Sequence, residues 1–182
     1  MLRSAGRLLP ALCALALAGT GPLRAESLNG AGDITGPAAH TIVQYFGTET
    51  FECYPQSEPG HYSMKKGRCS FASHADSAQV VYGTFPNDSR RYAVAFVEYQ
   101  PDYSGTLLAE VIAVFRQDAT GRYVAVGRDD GGGGGKRVVR FGAGRVISYT
   151  ALEAGPKDPT CCPSVHHTYT IAVSDRGIKW RY

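Results

Sequence analysis

Five cysteines, two adjacent histidines and a few carboxylates are the residues of this chain whose types and spacing could do chemistry. Cys161, Cys162, His166 and His167 fall within seven residues, and sulfur with imidazole is a donor set that suits copper or zinc. The spacing opposes that use. Neighbours on a strand, such as His166 and His167, face opposite ways, and sulfurs committed to disulfides cannot ligate. His167 then reads as a hydrogen-bonded core histidine and His166 as a solvated one. No cofactor is expected, and Cys161, Cys162, His166 and His167 remain the candidate ligands if a metal binds.

Cys53, Cys69, Cys161 and Cys162 follow the N-terminal segment, and an even count in an exported chain favours two disulfides. A bridge between the neighbours 161 and 162 would be strained, because their Cα atoms are held about 3.8 Å apart while bridges normally need about 4.4 to 6.8 Å. The expectation is that Cys53 and Cys69 each bond to one member of the pair, in either order. Loops of roughly 100 residues would close, worth up to about 4 to 5 kcal/mol each.

No catalytic set emerges. Ser63-Met64-Lys65-Lys66 matches S-x-x-K but lies in a polar stretch, without the S-D-N and K-T-G partners of that chemistry. There is no G-x-S-x-G, and His40, His61 and His74 have no nucleophile at recognisable spacing. Glu98 and Glu110 fall on neighbouring predicted strands and could form a glycosidase-like pair, although structural carboxylates are the plainer reading. The glycines from 131 to 135 fail as a phosphate loop, since Asp130 stands where the first glycine is needed and Arg137 where Ser or Thr is needed. They read as a flexible hairpin tip. Asn87-Asp88-Ser89 matches a glycosylation sequon, which matters only in a eukaryotic secretory route.

The elements that would position these residues begin with an export signal. Met1 to Arg7 is basic and acid-free, and Leu8 to Ala18 is an apolar run too short to span a bilayer. Cleavage is expected near Ala25, giving a signal over 1–25. Leu12 is too large for lipoprotein processing at Cys13. Removing Arg3, Arg7 and Arg24 leaves as many basic as acidic residues, so the basic balance of the whole chain is no argument for nucleic acid. Lys65, Lys66 and Arg68, and again Arg128, Lys136, Arg137, Arg140 and Arg145, form local basic clusters. Without interleaved stacking aromatics these read as solvated strand faces.

About 157 residues remain, enough for one core, and no later stretch is long enough to cross a membrane as a helix. Residues 26–36 read as a flexible leader and 37–182 as a single domain. Pro37 to Phe46 carries helical spacing, with Pro in the first turn and Gly47 past the end. Beyond it the period falls to two: 79–85, 92–99, 107–116, 122–127, 136–141, 145–152, 165–174 and 178–182 are predicted strands, separated by turn-forming residues. Val165, His167, Tyr169, Ile171 and Val173 are expected to face the core. The fold class expected is α+β, mostly β: a curved antiparallel meander of about seven to eight strands, disulfide-stapled, with one short N-terminal helix on its concave face.

The segment Asp158-Pro159-Thr160-Cys161-Cys162-Pro163-Ser164, with the hairpins from Val80 to Leu152 and the closing strand pair, resembles a group of small bacterial envelope proteins of unassigned function that includes the mycobacterial LppP/LprE-type lipoproteins. The resemblance covers roughly the last hundred residues and rests mainly on that segment. It implies a bacterial envelope setting and brings no activity with it. The function expected is that of an exported, non-catalytic envelope protein, periplasmic or secreted, that binds an envelope protein or a small ligand. The alternatives are a copper- or zinc-binding protein using the 161/162/166/167 set, or a hydrolase of unrecognised type using Glu98, Glu110 or His167.

Overall fold

The computed structural model describes residues 34–53, 56–58, 61–62, 67–71, 75–99, 109–159 and 162–181, with backbone only for 52, 53, 56–58, 61, 62, 75 and 76. The expected export signal lies outside these residues, as do Cys13, Cys161 and the S-x-x-K match.

Period-two alternation from residue 75 onward builds two antiparallel meanders, each of four strands. The first is β5 (Ala75–Thr84), β6 (Arg91–Tyr99), β7 (Ala109–Gln117) and β8 (Tyr123–Asp130); the second is β9 (Gly134–Gly142), β10 (Val146–Glu153), β11 (Val165–Ser174) and β12 (Gly177–Trp180). They pack face to face, with β5 beside β9 and β8 beside β12. Tyr92, Val94, Phe96, Ile112 and Val114 of the first sheet meet Ile147, Tyr149, Ala151, Ile171 and Val173 of the second. The β8 and β12 edges approach so closely that a Cβ on Gly127 would lie 3.2 Å from the Cα of Gly177. At the opposite edge the Gln79 amide clasps the backbone of Arg137, donating to its carbonyl and accepting from its N–H, both at 2.9 Å.

The first sheet is buried on both faces, β7 carrying apolar side chains on each: Val111, Ala113 and Phe115 on one, Ile112 and Val114 on the other. Its outer side carries α1 (Ala39–Thr48) and the ribbon of β1 (Thr50–Cys53) with β4 (Gly67–Ser70). Ile42 and Phe46 of the helix, with Phe51 and Phe71 of the ribbon, cover Ala93, Ala95, Val97, Val111, Ala113 and Phe115. Tyr82 ties the helix start down, accepting from Ala38 N at 3.1 Å and donating to Thr35 O at 3.0 Å. A second ribbon pairs β2 (Gln56–Glu58) with β3 (His61–Tyr62). The order of layers is therefore helix and ribbon, first sheet, second sheet.

Three expectations are corrected. The single disulfide-stapled meander of seven to eight strands is replaced by two packed meanders plus short ribbons, because the chain changes sheet at 131–133. The helix covers the outer side of the first sheet rather than a shared concave face. The double clamp through both members of the cysteine pair does not form: Cys69 is disulfide-bonded, but Cys162 stands outside the disulfides. The end of the leader is also docked, since Ile34 is 3% exposed and belongs to the helix-side core.

Candidate functional site

The connections divide the sandwich into two unlike ends. The tight turns β5–β6, β7–β8, β9–β10 and β11–β12 share one end, while the crossover 131–133 and the long β10–β11 loop lie at the other.

At the turn end, two carboxylates gather three arginines. Asp88 receives Arg90 at 2.7 Å, Arg145 at 3.2 Å and the Tyr92 hydroxyl at 2.8 Å. Asp175 meets Arg145 at 3.2 Å, and also Arg116 and Arg90. Hydrogen bonding from the Arg90 side chain holds the Asp88 carboxyl well below the usual carboxylate range, against the opposing effect of burial. Each carboxylate meets more than one arginine, and the network ties three turns together.

At the crossover end, Glu98 and Glu110 face each other directly across β6 and β7, on the side that meets the second sheet. Arg137 of β9, beside the bulge that shifts β9 against β10 after Thr150, reaches inward between the two glutamates. Arg137 is 5% exposed and Glu110 6%. The guanidinium donates to Glu98 at 2.9 Å, forms an ion pair with Glu110, reaches the Gly133 and Gly135 carbonyls and lies over the Phe96 ring. Burial pulls the Arg137 pKa down and the Glu98 charge pushes it back up. Ser77 Oγ completes the shell by donating to Glu98 at 2.5 Å.

The glycine tract is the lid of this cluster, which corrects its reading as a loose hairpin tip. A Cβ on Gly131 would collide with the Glu110 carboxyl, and one on Gly132 with the Tyr169 ring. Gly133 and Gly135 sit at φ +70° and +76°, where side-chain-bearing residues are strained. Gly131 N donates to Glu110 O at 2.7 Å and Gly132 N to the Tyr149 hydroxyl at 3.1 Å. Burial pushes that hydroxyl up to about 12.

A glycosidase pair must leave a gap of about 5 to 9.5 Å between its carboxyl groups for the sugar and water. Here a guanidinium fills the space between Glu98 and Glu110, and backbone covers it. Sequence reasoning placed Arg137 on a solvated face. The signal against that was available: Arg137, Val139 and Phe141 share one period-two face.

The remaining candidates are dispersed. His167 is exposed rather than buried, because β11 runs past the cover of the first sheet there; Val165 is likewise 45% exposed. His167 Nδ1 lies 3.7 Å from Glu153, which also accepts from the Tyr169 hydroxyl. His166 is exposed on the opposite face. Cys162 lies in the loop before β11, where Asp158 accepts from Gly155 N, Ser164 N and Ser164 Oγ. Among the described residues no three His, Cys, Asp or Glu side chains are placed to hold a metal ion. No helix of the described residues is long and apolar enough to cross a membrane.

The outer face of the second sheet is left uncovered by any other described element. Pleat alternation puts Ser148, Thr150, Thr168 and Thr170 on it, in the register Ser148↔Thr170 and Thr150↔Thr168. Arg140 and Val138 lie beside them on β9, paired with Ser148 and Thr150. No family model matches the chain, and neither a curated protein nor a solved structure is similar to it.

Proposed function

We propose that this is an exported, non-catalytic protein of the bacterial envelope that works as a binding module, through the outer face of its second sheet. The observation that carries the reading is the contrast between two surfaces of the same strands. The inward groups with catalytic potential, Glu98, Glu110 and Arg137, pair with one another under a glycine lid. The outward face presents an array of hydroxyls and bases with no other described element packed on it. Rigid strands hold such an array in fixed geometry, which is the arrangement recognition requires. The export signal and the resemblance of the Cys-Cys-Pro-Ser segment support the envelope setting.

An enzyme built on Glu153, His167 and Tyr169 is the weaker reading. The three groups touch but have neither a nucleophile nor an oxyanion donor beside them among the described residues.

A photo-crosslinking residue placed at Thr168 on the sheet face, and separately at His40 on the exposed side of the helix, tests the proposal in cells. A discrete adduct from position 168 only, on a protein whose N-terminus begins near Glu26, is the expected result. Adducts from position 40 alone, or an intact Met1 on a cytoplasmic species, would contradict it.

A further inference from the structure

We propose that the partner of this face is an acidic polysaccharide, an inference that rests on the binding-module reading above and names its ligand class. The face is polarised by charge. Arg140 flanks the hydroxyl array on β9 and Lys179, paired with Ala172, flanks it on β12. Arg181, whose N–H donates to Thr170 O at 2.8 Å, extends the same edge. Arg140 and Lys179 are exposed, and neither makes an ion pair with a described residue.

The outward positions of β9 to β12 that follow the ladder register include no carboxylate. Among the acids elsewhere in the sandwich, Asp88 and Asp175 are engaged at the turn end, Glu98 and Glu110 inside, and Glu153 on the inward side against Tyr169, while Asp129 and Asp130 close β8 of the other sheet. A chain that is balanced in charge once its basic signal is removed thus carries a local positive field over one flat face, which attracts a polyanion.

The chemistry of the array narrows the polyanion. The aromatic residues of this sheet, Phe141, Tyr149, Tyr169 and Trp180, pack into the inter-sheet core. Among the described residues the face therefore carries no Phe, Tyr or Trp, the rings on which bases stack and which anchor proteins in a lipid interface; its larger apolar side chains are Val138, Val146 and Leu152. What it offers is a lattice of hydroxyls, about 4.8 Å apart between strands and about 6.8 Å apart along them, flanked by cations. Thr150 and Thr168 Oγ1 stand 3.4 Å apart across the central pair. Such a lattice can donate to and accept from the hydroxyls of a sugar chain along its length while the flanking bases meet its acid groups.

The test is affinity electrophoresis of the purified protein through gels containing alginate, a polyuronate, with neutral dextran as the parallel arm. Retardation by alginate and not by dextran is expected, fading as added salt shortens the screening length to about 3 Å near 1 M. R140E/K179E should weaken the interaction roughly tenfold or more with an unchanged circular dichroism spectrum. K157E/R176E, which reverses two exposed charges in loops off the face, should bind as the parent does.

Equal retardation by dextran, equal loss in both variants, or tighter binding to phosphatidylglycerol vesicles or single-stranded oligonucleotides would overturn the polysaccharide. If alginate fails while Thr168 still yields its adduct, the ligand class is wrong and the binding face stands. If both fail, both are wrong.

Discussion

Glu98 and Glu110 stand directly opposite each other on β6 and β7, and Arg137 of the second sheet reaches in to bond both. Two carboxylates that sequence spacing offers as a catalytic pair are thereby converted into the anchor of a chain crossover. R137M should destabilise the protein by about 3 to 5 kcal/mol, because two carboxylates would remain buried without their cation. Replacing the cluster as a unit, in R137M/E98Q/E110L, should recover most of that loss. Urea unfolding of the two variants measures it; a loss below about 1 kcal/mol in R137M would remove the structural role assigned to the cluster.

The lid makes the glycines individually unequal. A Cβ on Gly133 would lie 2.7 Å from the Leu152 carbonyl oxygen at φ +70°, whereas one on Gly47, near the end of α1, would meet nothing within 4 Å. G133A should cost about 1 to 3 kcal/mol. G47A should stabilise by about 0.5 to 1 kcal/mol, since alanine is the better helix former. Thermal unfolding that ranks the two the other way would restore the loose-tip reading of the glycine tract.

Acid sensitivity should trace to the turn end. The Arg90 side chain holds the Asp88 carboxyl well below its ordinary range. The Thr120 side chain also lowers the Asp118 carboxyl, and the Gly155 and Ser164 N–H groups lower that of Asp158. These folded carboxylates stay charged at a pH where the unfolded chain takes up protons, near about 4. The unfolded state therefore binds more protons, and stability falls as pH drops through and below that value. D88N should be less stable than the parent at neutral pH by on the order of 1 to 3 kcal/mol, from charged hydrogen bonds lost. Its stability should also decline less steeply with acid. Unfolding curves for the two proteins that run parallel from neutral to low pH would contradict this.

Much of the β architecture was legible in alternation, and the reasons for the misses are physical. The strands from 91 onward were readable because β6 and β7 are apolar runs buried on both faces and the later strands alternate, and the span 165–174 read for β11 is the one observed. The sheet boundary was not readable. Gly131 to Gly135 signals freedom when taken alone, and only Glu110, Tyr169 and Leu152 around it turn that freedom into a requirement. Arg137 was hidden by its basic neighbours Lys136 and Arg140, although its parity with Val139 and Phe141 marked it as inward. His167 failed for the opposite reason: its parity is that of the core, but the strand outruns the layer that would bury it. Phe51 and Phe71, which seat the first ribbon on the core, sit in a stretch too broken for any period to show.

The central claim is that the outer face of the second sheet is the working surface, and retention of the protein by washed envelopes measures it most directly. T150E/T168E places two negative charges on that face, where Thr168 is exposed and Thr150 half-buried, and H40E/Q44E places two on the exposed side of the helix. The account predicts that T150E/T168E is released by washing while H40E/Q44E stays bound as the parent does, both folding normally by circular dichroism. Release of the helix variant with retention of the sheet variant would contradict it.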